Sequence, residues 1–276
     1  MRQEWEPEEL VASWTLLDAD WALVANKAGA TRLGFALLLK FFELEARFPR
    51  DRAELPPAAV AFVADQVAVS PTELAGYDWT GRSIKYHRAQ VRGAFGFRES
   101  TVADEQRWTM WLQREVCPVE LGEDRVRDAL LRRCRSERVE PPGASRIERV
   151  LGSARAGHDA QFTARTLSRL SDGATLRLAL LVGDAPDMAV VGGGPGFLAE
   201  LKADPGRVGL RTLFEEIDKL ERVRAIGLPT DLFADASERK VTAWRARAAK
   251  LYPSDLRAAG EPVRLTFACG DLAGGP

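Results

Sequence analysis

An all-α fold, laid out as two consecutive multi-helix bundles with helix-turn-helix-like elements, is predicted by three observations. Apolar residues recur at helical spacing in segment after segment, and strand-like alternation is hard to find. Prolines and Ser/Asp-to-Glu capping pairs fall where those segments begin. The 276 residues are 46% hydrophobic and 29% charged, which suits a soluble globular chain of one large domain or two ordinary ones.

Composition also bounds function. The formal net charge is -1, from 39 basic and 40 acidic residues, so any nucleic-acid role must rest on local patches. Cys117, Cys134 and Cys269 are odd in number and far apart, and His87 and His158 are the only histidines. A zinc site or a disulfide framework is therefore not expected; the cysteines read as reduced, mostly buried thiols of a cytoplasmic protein. The start, Met1-Arg2-Gln3-Glu4-Trp5-Glu6, is too acidic for a signal peptide. The most apolar run, Leu33 to Phe42, contains Lys40 and is too short to span a bilayer, so no membrane partner is expected.

Taken in order, Pro7 opens a first helix with Glu8 and Glu9 in its first turn, and Asp18 reads as the cap of a second. Gly29-Ala30-Thr31 leads the strongest core helix, Arg32 to Leu44, apolar around almost its whole circumference. Gly34 inside it costs about 1 kcal/mol against alanine, which predicts a close approach there. Pro56-Pro57 starts the next helix. Ser70-Pro71-Thr72-Glu73 caps a short one that runs into the Tyr77-Asp78-Trp79 turn, and Thr80 reads as the cap of the helix that follows. Helix, turn, short helix, turn and helix is an order compatible with a helix-turn-helix-like unit.

The helix after Thr80 is Gly81-Arg82-Ser83-Ile84-Lys85-Tyr86-His87-Arg88-Ala89-Gln90-Val91-Arg92-Gly93, followed by Ala94-Phe95-Gly96-Phe97-Arg98, with no acidic residue before Glu99. At 3.6 residues per turn Ile84, Val91 and Phe95 form one stripe, and Arg82, Lys85, Ala89 and Arg92 lie roughly opposite, with Arg88 at the edge. A basic stripe with a small residue at its centre can lie close against phosphates. It can equally be the solvated face of a core helix. His87 is expected to pack or hydrogen-bond internally.

Beyond it, Glu99-Ser100-Thr101 begins a helix carrying Trp108, Trp111 and Leu112, and Glu123-Asp124 begins one whose later half is basic. Glu140-Pro141-Pro142-Gly143 is the best boundary, dividing a first helical domain, 1–139, from a second, 144–260. The second holds a long helix from Arg146 to Leu170, an apolar one from Leu176 to Val182, and an amphipathic one on Leu210, Leu213, Phe214, Ile217, Leu220 and Val223. Asp235-Ala236-Ser237-Glu238 caps a second basic helix, in which Arg245 and Arg247 are the chosen candidates for DNA contact. The glycine loop 183–196 has no preceding strand and no Lys-Ser/Thr, so it reads as a flexible connection rather than a phosphate loop. Residues 261–276 read as an irregular tail.

No GxSxG, no HExxH and no Cys/His pair in a recognisable setting is present, and almost all the carboxylates sit in caps or on solvent faces. The sequence thus predicts no enzyme activity, no metal, no cofactor and no small-molecule substrate.

Several motifs carry a resemblance. Ala30-Thr31-Arg32-Leu33-Gly34-Phe35-Ala36 is similar to the NRLGFA-type signature of the replicative transposases of the Tn-three family (class II transposons). Arg82 to Arg92 is similar to that family's R-x-x-H-x-x-x-[IV]-R pattern, with its second part met by His87, Val91 and Arg92 and the leading arginine two positions earlier at Arg82, and Phe95-Gly96-Phe97-Arg98 continues it. Glu115-Val116-Cys117-Pro118, Glu140-Pro141-Pro142, Ala199 to Asp204 and Tyr252-Pro253-Ser254-Asp255-Leu256 follow in the family's order.

The resemblance implies a helical N-terminal region whose consecutive modules bind double-stranded DNA at the transposon's terminal inverted repeats. Catalysis in that family belongs to a DDE-type domain much further along a longer polypeptide, so this chain is expected to stop before it, truncated and without its own catalysis, in the nucleoid-associated cytoplasm. DNA contacts are expected from Arg82, Lys85, Arg92, Arg88 and Arg98, from Lys27 and Arg32 near the central helix, and from Arg245 and Arg247. The alternative readings are a helical interaction module that pairs with subunits of full-length transposase, or a non-functional transposase remnant.

Overall fold

A computed structural model describes residues 3–182, 206–251 and 260–272, together with Glu200, Ala203 and Asp255. The described elements are helical, as the spacing of apolar residues predicts. They divide into two compact units, one formed by residues 1–106 and 127–148, the other by 107–126 and 149–276.

The first unit is built around α3 (Gly29–Glu45), in which every residue from Leu33 to Phe42 is buried. A helix apolar on all sides needs neighbours on all sides. Those are α1 (Pro7–Trp14), α2 (Asp18–Val24), α4 (Pro57–Gln66), a 3-10 turn at Pro71–Gly76 and α5 (Arg82–Ala94). Gly34 is where the Tyr77 ring crosses α3, so closely that a Cβ on residue 34 would run into it. Lys40 is buried in this core and is neutralised there by Asp20, 3.5 Å away, and by Glu43.

Three caps differ in detail from the sequence reading. Asp18 is the first residue of α2 rather than its cap; Asp20 instead accepts from the Leu17 N–H at 2.9 Å. Thr80 does not cap α5. Asp78 Oδ1 accepts from the N–H groups of Thr80 (2.9 Å) and Gly81 (2.8 Å), and these bonds hold its carboxyl below the usual range. Ser237, not Asp235, closes the start of its helix by accepting from the Lys240 N–H at 3.3 Å. In each case the residue whose oxygen reaches an orphan N–H wins.

After α6 (Val102–Trp111) the chain makes one π turn, Leu112–Val116, and continues into α7 (Glu123–Ser136), α8 (Ala144–Leu167) and α9 (Asp172–Val182). Gly152 and Gly157 do not break α8. At Gly157 an added Cβ would lie 2.6 Å from Gln113 Oε1, so the missing side chain permits close packing.

The second unit's core joins α8 and α9 to α10 (Leu210–Ala225), α11 (Glu238–Ala249) and α12 (Glu261–Leu272). The last of these corrects the expectation of an irregular tail from 261. Leu265, Ala268, Cys269 and Leu272 stand at helical spacing and are buried, and Phe267 stacks on Trp244 with ring centroids 4.5 Å apart. Gly270, inside the expected tail, lies against Trp244, where a Cβ would meet the ring at 3.2 Å. The expected glycine connection (183–196) and residues 273–276 of the expected tail lie outside the described residues.

Cys117, Cys134 and Cys269 are unpaired and buried. Burial pushes the Cys134 and Cys269 thiols up to about 12, which keeps them protonated and inert at neutral pH.

Candidate nucleic-acid interface

The basic stripe of the sequence becomes α5, held down by Ile84, His87 and Val91, all buried. Beyond its C-terminus Phe95 and Phe97 pack on Phe42 of α3, with centroids 5.9 and 5.1 Å away. His87 is internal, as expected. Its Nδ1 shares a hydrogen bond of 2.7 Å with the Tyr77 hydroxyl, and its ring stacks on Tyr77 and meets the edge of Phe35.

Burial, reinforced by the nearby Lys27 charge, pulls the His87 pKa below 6.5, and burial does the same to His158. Below pH about 6.5 the unfolded chain takes up protons that the folded chain refuses, so stability falls as pH drops through that window. Glu140, whose carboxyl burial holds above its ordinary range, acts in the opposite sense. Urea midpoints are expected to be lower at pH 5.5 than at pH 7.5, and His87→Gln should shrink that difference; an undiminished difference would assign it elsewhere.

The stripe's cations divide into two groups. Arg82 and Lys85 are exposed, with the small exposed Ala89 one turn beyond. Arg88 is half-buried, its guanidinium 5.2 Å from the Phe48 ring centroid and donating to the Pro49 carbonyl at 3.3 Å. Arg92 departs from the outward face on which the wheel puts it. Its side chain is only 12% exposed and bridges Glu99 at 2.6 Å and Glu140 at 2.7 Å. Arg98 forks onto the buried Asp104 at 2.6 and 2.8 Å, and this pairing raises its pKa. Asp104 also accepts from the Thr101 N–H at 2.9 Å, so Arg98 braces the start of α6.

The other candidates are placed as follows. Lys27 is buried rather than outward-facing: Nζ donates to the Leu23 carbonyl at 2.7 Å and to Asn26 at 2.9 Å, and sits 3.9 Å over the Phe35 ring. Burial lowers its pKa. Arg32 is half-buried and donates to the Lys27 carbonyl at 2.7 Å. In the second unit Arg245 is half-buried with its guanidinium 6.0 Å from Phe233, and Arg247 is exposed over the Phe267 ring at 5.3 Å.

One feature of the first unit is absent from any reading of α5 alone. A cleft of about 500 Å³ runs beside α5, with Lys85, Arg88 and Arg92 on one side and Pro141, Gly143 and Arg146 on the other. Arg146 pairs with the buried Glu105 while reaching the cleft. No local signal marks Arg146, because 61 positions separate it from Lys85 (146 − 85). Among the described residues no cluster of three or more potential metal ligands occurs, and no helix is long and apolar enough to cross a membrane.

Comparison with known proteins agrees with the helical, basic-faced first unit in defining a class. Residues 1–154 match the family described as "Domain of unknown function (DUF4158)", and the chain belongs to that family. It is further related to transposases: it is 25% identical over 263 residues to the "Transposase for transposon Tn21" of Escherichia coli, covering 93% of this chain and 25% of that protein. It is 22% identical over 253 residues to the "Transposase for transposon Tn501" of Pseudomonas aeruginosa, covering 90% of this chain and 25% of the relative. The chain therefore spans about a quarter of the length of these curated relatives.

Proposed function

We propose that this chain binds double-stranded DNA as part of transposon-end recognition, with α5 of the first unit as the element laid against the duplex. The observation that carries the reading is the exposed pair Arg82 and Lys85 with Ala89 on one face of a helix pinned from behind by Ile84, His87 and Val91. A rigidly seated helix loses little entropy on docking, and a small residue between cations lets the backbone come near the phosphates. Arg88 and Arg146 extend positive charge along the adjoining cleft. Arg92 and Lys27 support the face from inside and Arg98 from its surface, each already engaged by the protein's own groups. Arg245 and Arg247 are secondary contacts in this reading, and Arg32 a marginal one. Similarity to two transposases supports a transposition-related role with DNA as the partner, and the motif resemblance is what points to the terminal inverted repeats as the target. The role assigned to these residues is binding, with strand chemistry lying outside them.

Fluorescence anisotropy against a terminal-repeat duplex tests this. Affinity should fall steeply with salt, and Arg82→Ala with Lys85→Ala should reduce the log–log salt slope by about 2 while weakening all duplexes alike. The thermal midpoint should stay unchanged, since both side chains are exposed. Unaltered affinity in the double variant would remove α5 from the interface, and equal affinity for cognate and scrambled duplexes at physiological salt would remove end recognition.

A further inference from the structure

The α10 helix departs from what its own sequence calls for. Its apolar stripe reads as a core face, yet no residue of α10 is buried. Leu210, Leu213, Phe214, Ile217 and Leu220 are 76, 56, 68, 41 and 43% exposed, and only Val223 packs on the second unit's core. Single exposed leucines are ordinary on a protein surface, but a contiguous row of five on one helix marks a contact surface.

The chemistry of the row narrows its occupant. Leu210, Leu213, Ile217 and Leu220 follow the 3-4-3 spacing of a helix-pairing seam. Its flanks carry four acidic residues, Glu215, Glu216, Asp218 and Glu221, against four basic ones, Arg211, Lys219, Arg222 and Arg224. The charges are matched locally, Arg211 with Glu215 at 3.0 Å and Lys219 with Glu216 at 2.8 Å within the helix, and Arg222 with Glu200 at 3.3 Å and Asp218 at 3.8 Å. A surface with no net charge draws neither a polyanion nor a strongly charged peptide, and a copy of itself meets it without net repulsion.

The size of the row is also that of a self-contact. The 16-residue helix is about 24 Å long at 1.5 Å per residue. Covering its apolar face removes on the order of 500 Å² from each copy, or about 1,000 Å² in all, the lower bound for a specific interface and therefore a dimer that forms at micromolar rather than nanomolar concentration.

We propose that α10 is a homodimer contact, in which two copies of this chain pair α10 against α10 through Leu210, Leu213, Ile217 and Leu220. The pairing does not rest on DNA binding: α10 belongs to the second unit and α5 to the first, so either reading can fail while the other stands.

Sedimentation velocity on the full chain without DNA, from about 1 to about 100 µM, should show a concentration-dependent shift from monomer to dimer that persists in high salt. Leu213→Glu combined with Ile217→Glu should remain monomeric throughout, with the far-UV circular dichroism of the parent chain. A parent chain monomeric at the highest concentration overturns the proposal, whether the row is then covered by another part of the chain or by another protein. So does a double variant that still dimerises. Should the double variant fail to fold, Ile217→Cys decides: the three natural cysteines are buried, so mild oxidation should link two chains through residue 217, and no covalent dimer at 100 µM overturns the pairing.

Discussion

Arg92→Met is expected to destabilise the first unit by about 3 kcal/mol, whereas Arg82→Ala and Lys85→Ala should each stay within about 0.5 kcal/mol. All three are cations of α5, and the difference lies in burial. The Arg92 and Glu140 side chains are 12% and 19% exposed, and their ion pair is 2.7 Å long. Even so, the Glu140 carboxyl is held above its ordinary range, burial and then the Glu99 charge together outweighing Arg92 and Arg88, so pairing does not fully offset the desolvation of the carboxylate. Taking Arg92 away leaves that carboxylate largely buried without its hydrogen-bonded partner. The exposed partner, Glu99, adds little, because its side chain is 72% in solvent.

Two further signs follow from the same geometry. Glu140 can neutralise itself by taking up a proton, so the cost of Arg92→Met should shrink as pH falls from 7.5 towards 5. Glu140→Gln added to Arg92→Met should recover part of the loss, a coupling visible in a double-mutant cycle of urea midpoints. Were Arg92→Met as mild as Arg82→Ala, Arg92 would belong to the outward face after all.

Gly34→Ala should cost about 2 kcal/mol. The added Cβ would enter the Tyr77 ring, an overpacking term of about 3 kcal/mol, set against about 1 kcal/mol from alanine's better helix propensity. Tyr77 cannot swing away easily. Its hydroxyl is tied to His87 at 2.7 Å, its face stacks on the same imidazole, and Trp79 meets it at 5.1 Å. In a Tyr77→Ala background the obstruction is gone, so Gly34→Ala should become neutral or mildly stabilising there. A neutral Gly34→Ala in the parent chain would show that helix and ring do not touch as described.

Local chemistry made much of this molecule legible. Leu33 to Phe42 announces a central helix because no face of it is polar enough for water, and Gly34 announces a crossing because glycine in a helix interior needs a reason. Ile84 and Val91 set the buried side of α5 by spacing alone. Caps were harder, since the Asp78 and Thr80 side chains both stand within reach of the N–H groups before α5 in sequence, and only backbone geometry settles that Asp78 accepts from Thr80 and Gly81.

The candidate interface was half legible. A helical wheel places Arg82, Lys85 and Arg92 together, but it knows nothing of Glu140, 48 residues along the chain from Arg92, or of Arg146 across the cleft. Whether a cation faces water or a carboxylate is decided by segments brought together in folding. Lys27 and Arg98 show the same limit: each looks like a free charge in sequence and is engaged by groups of its own unit in the fold.

What the sequence by itself determined is the helical class, the position of the first unit's core and the positive side of α5, because periodicity and the absence of nearby acids are local properties. Tertiary structure alone decided the rest. It turned residues 261–272 into a core helix, because Gly270 is where Trp244 must approach. It withdrew Arg92 from the basic face into an ion pair, and it left the leucines of α10 in solvent. Burial depends on what the rest of the chain brings alongside a residue, and no residue's own neighbours in sequence carry that information.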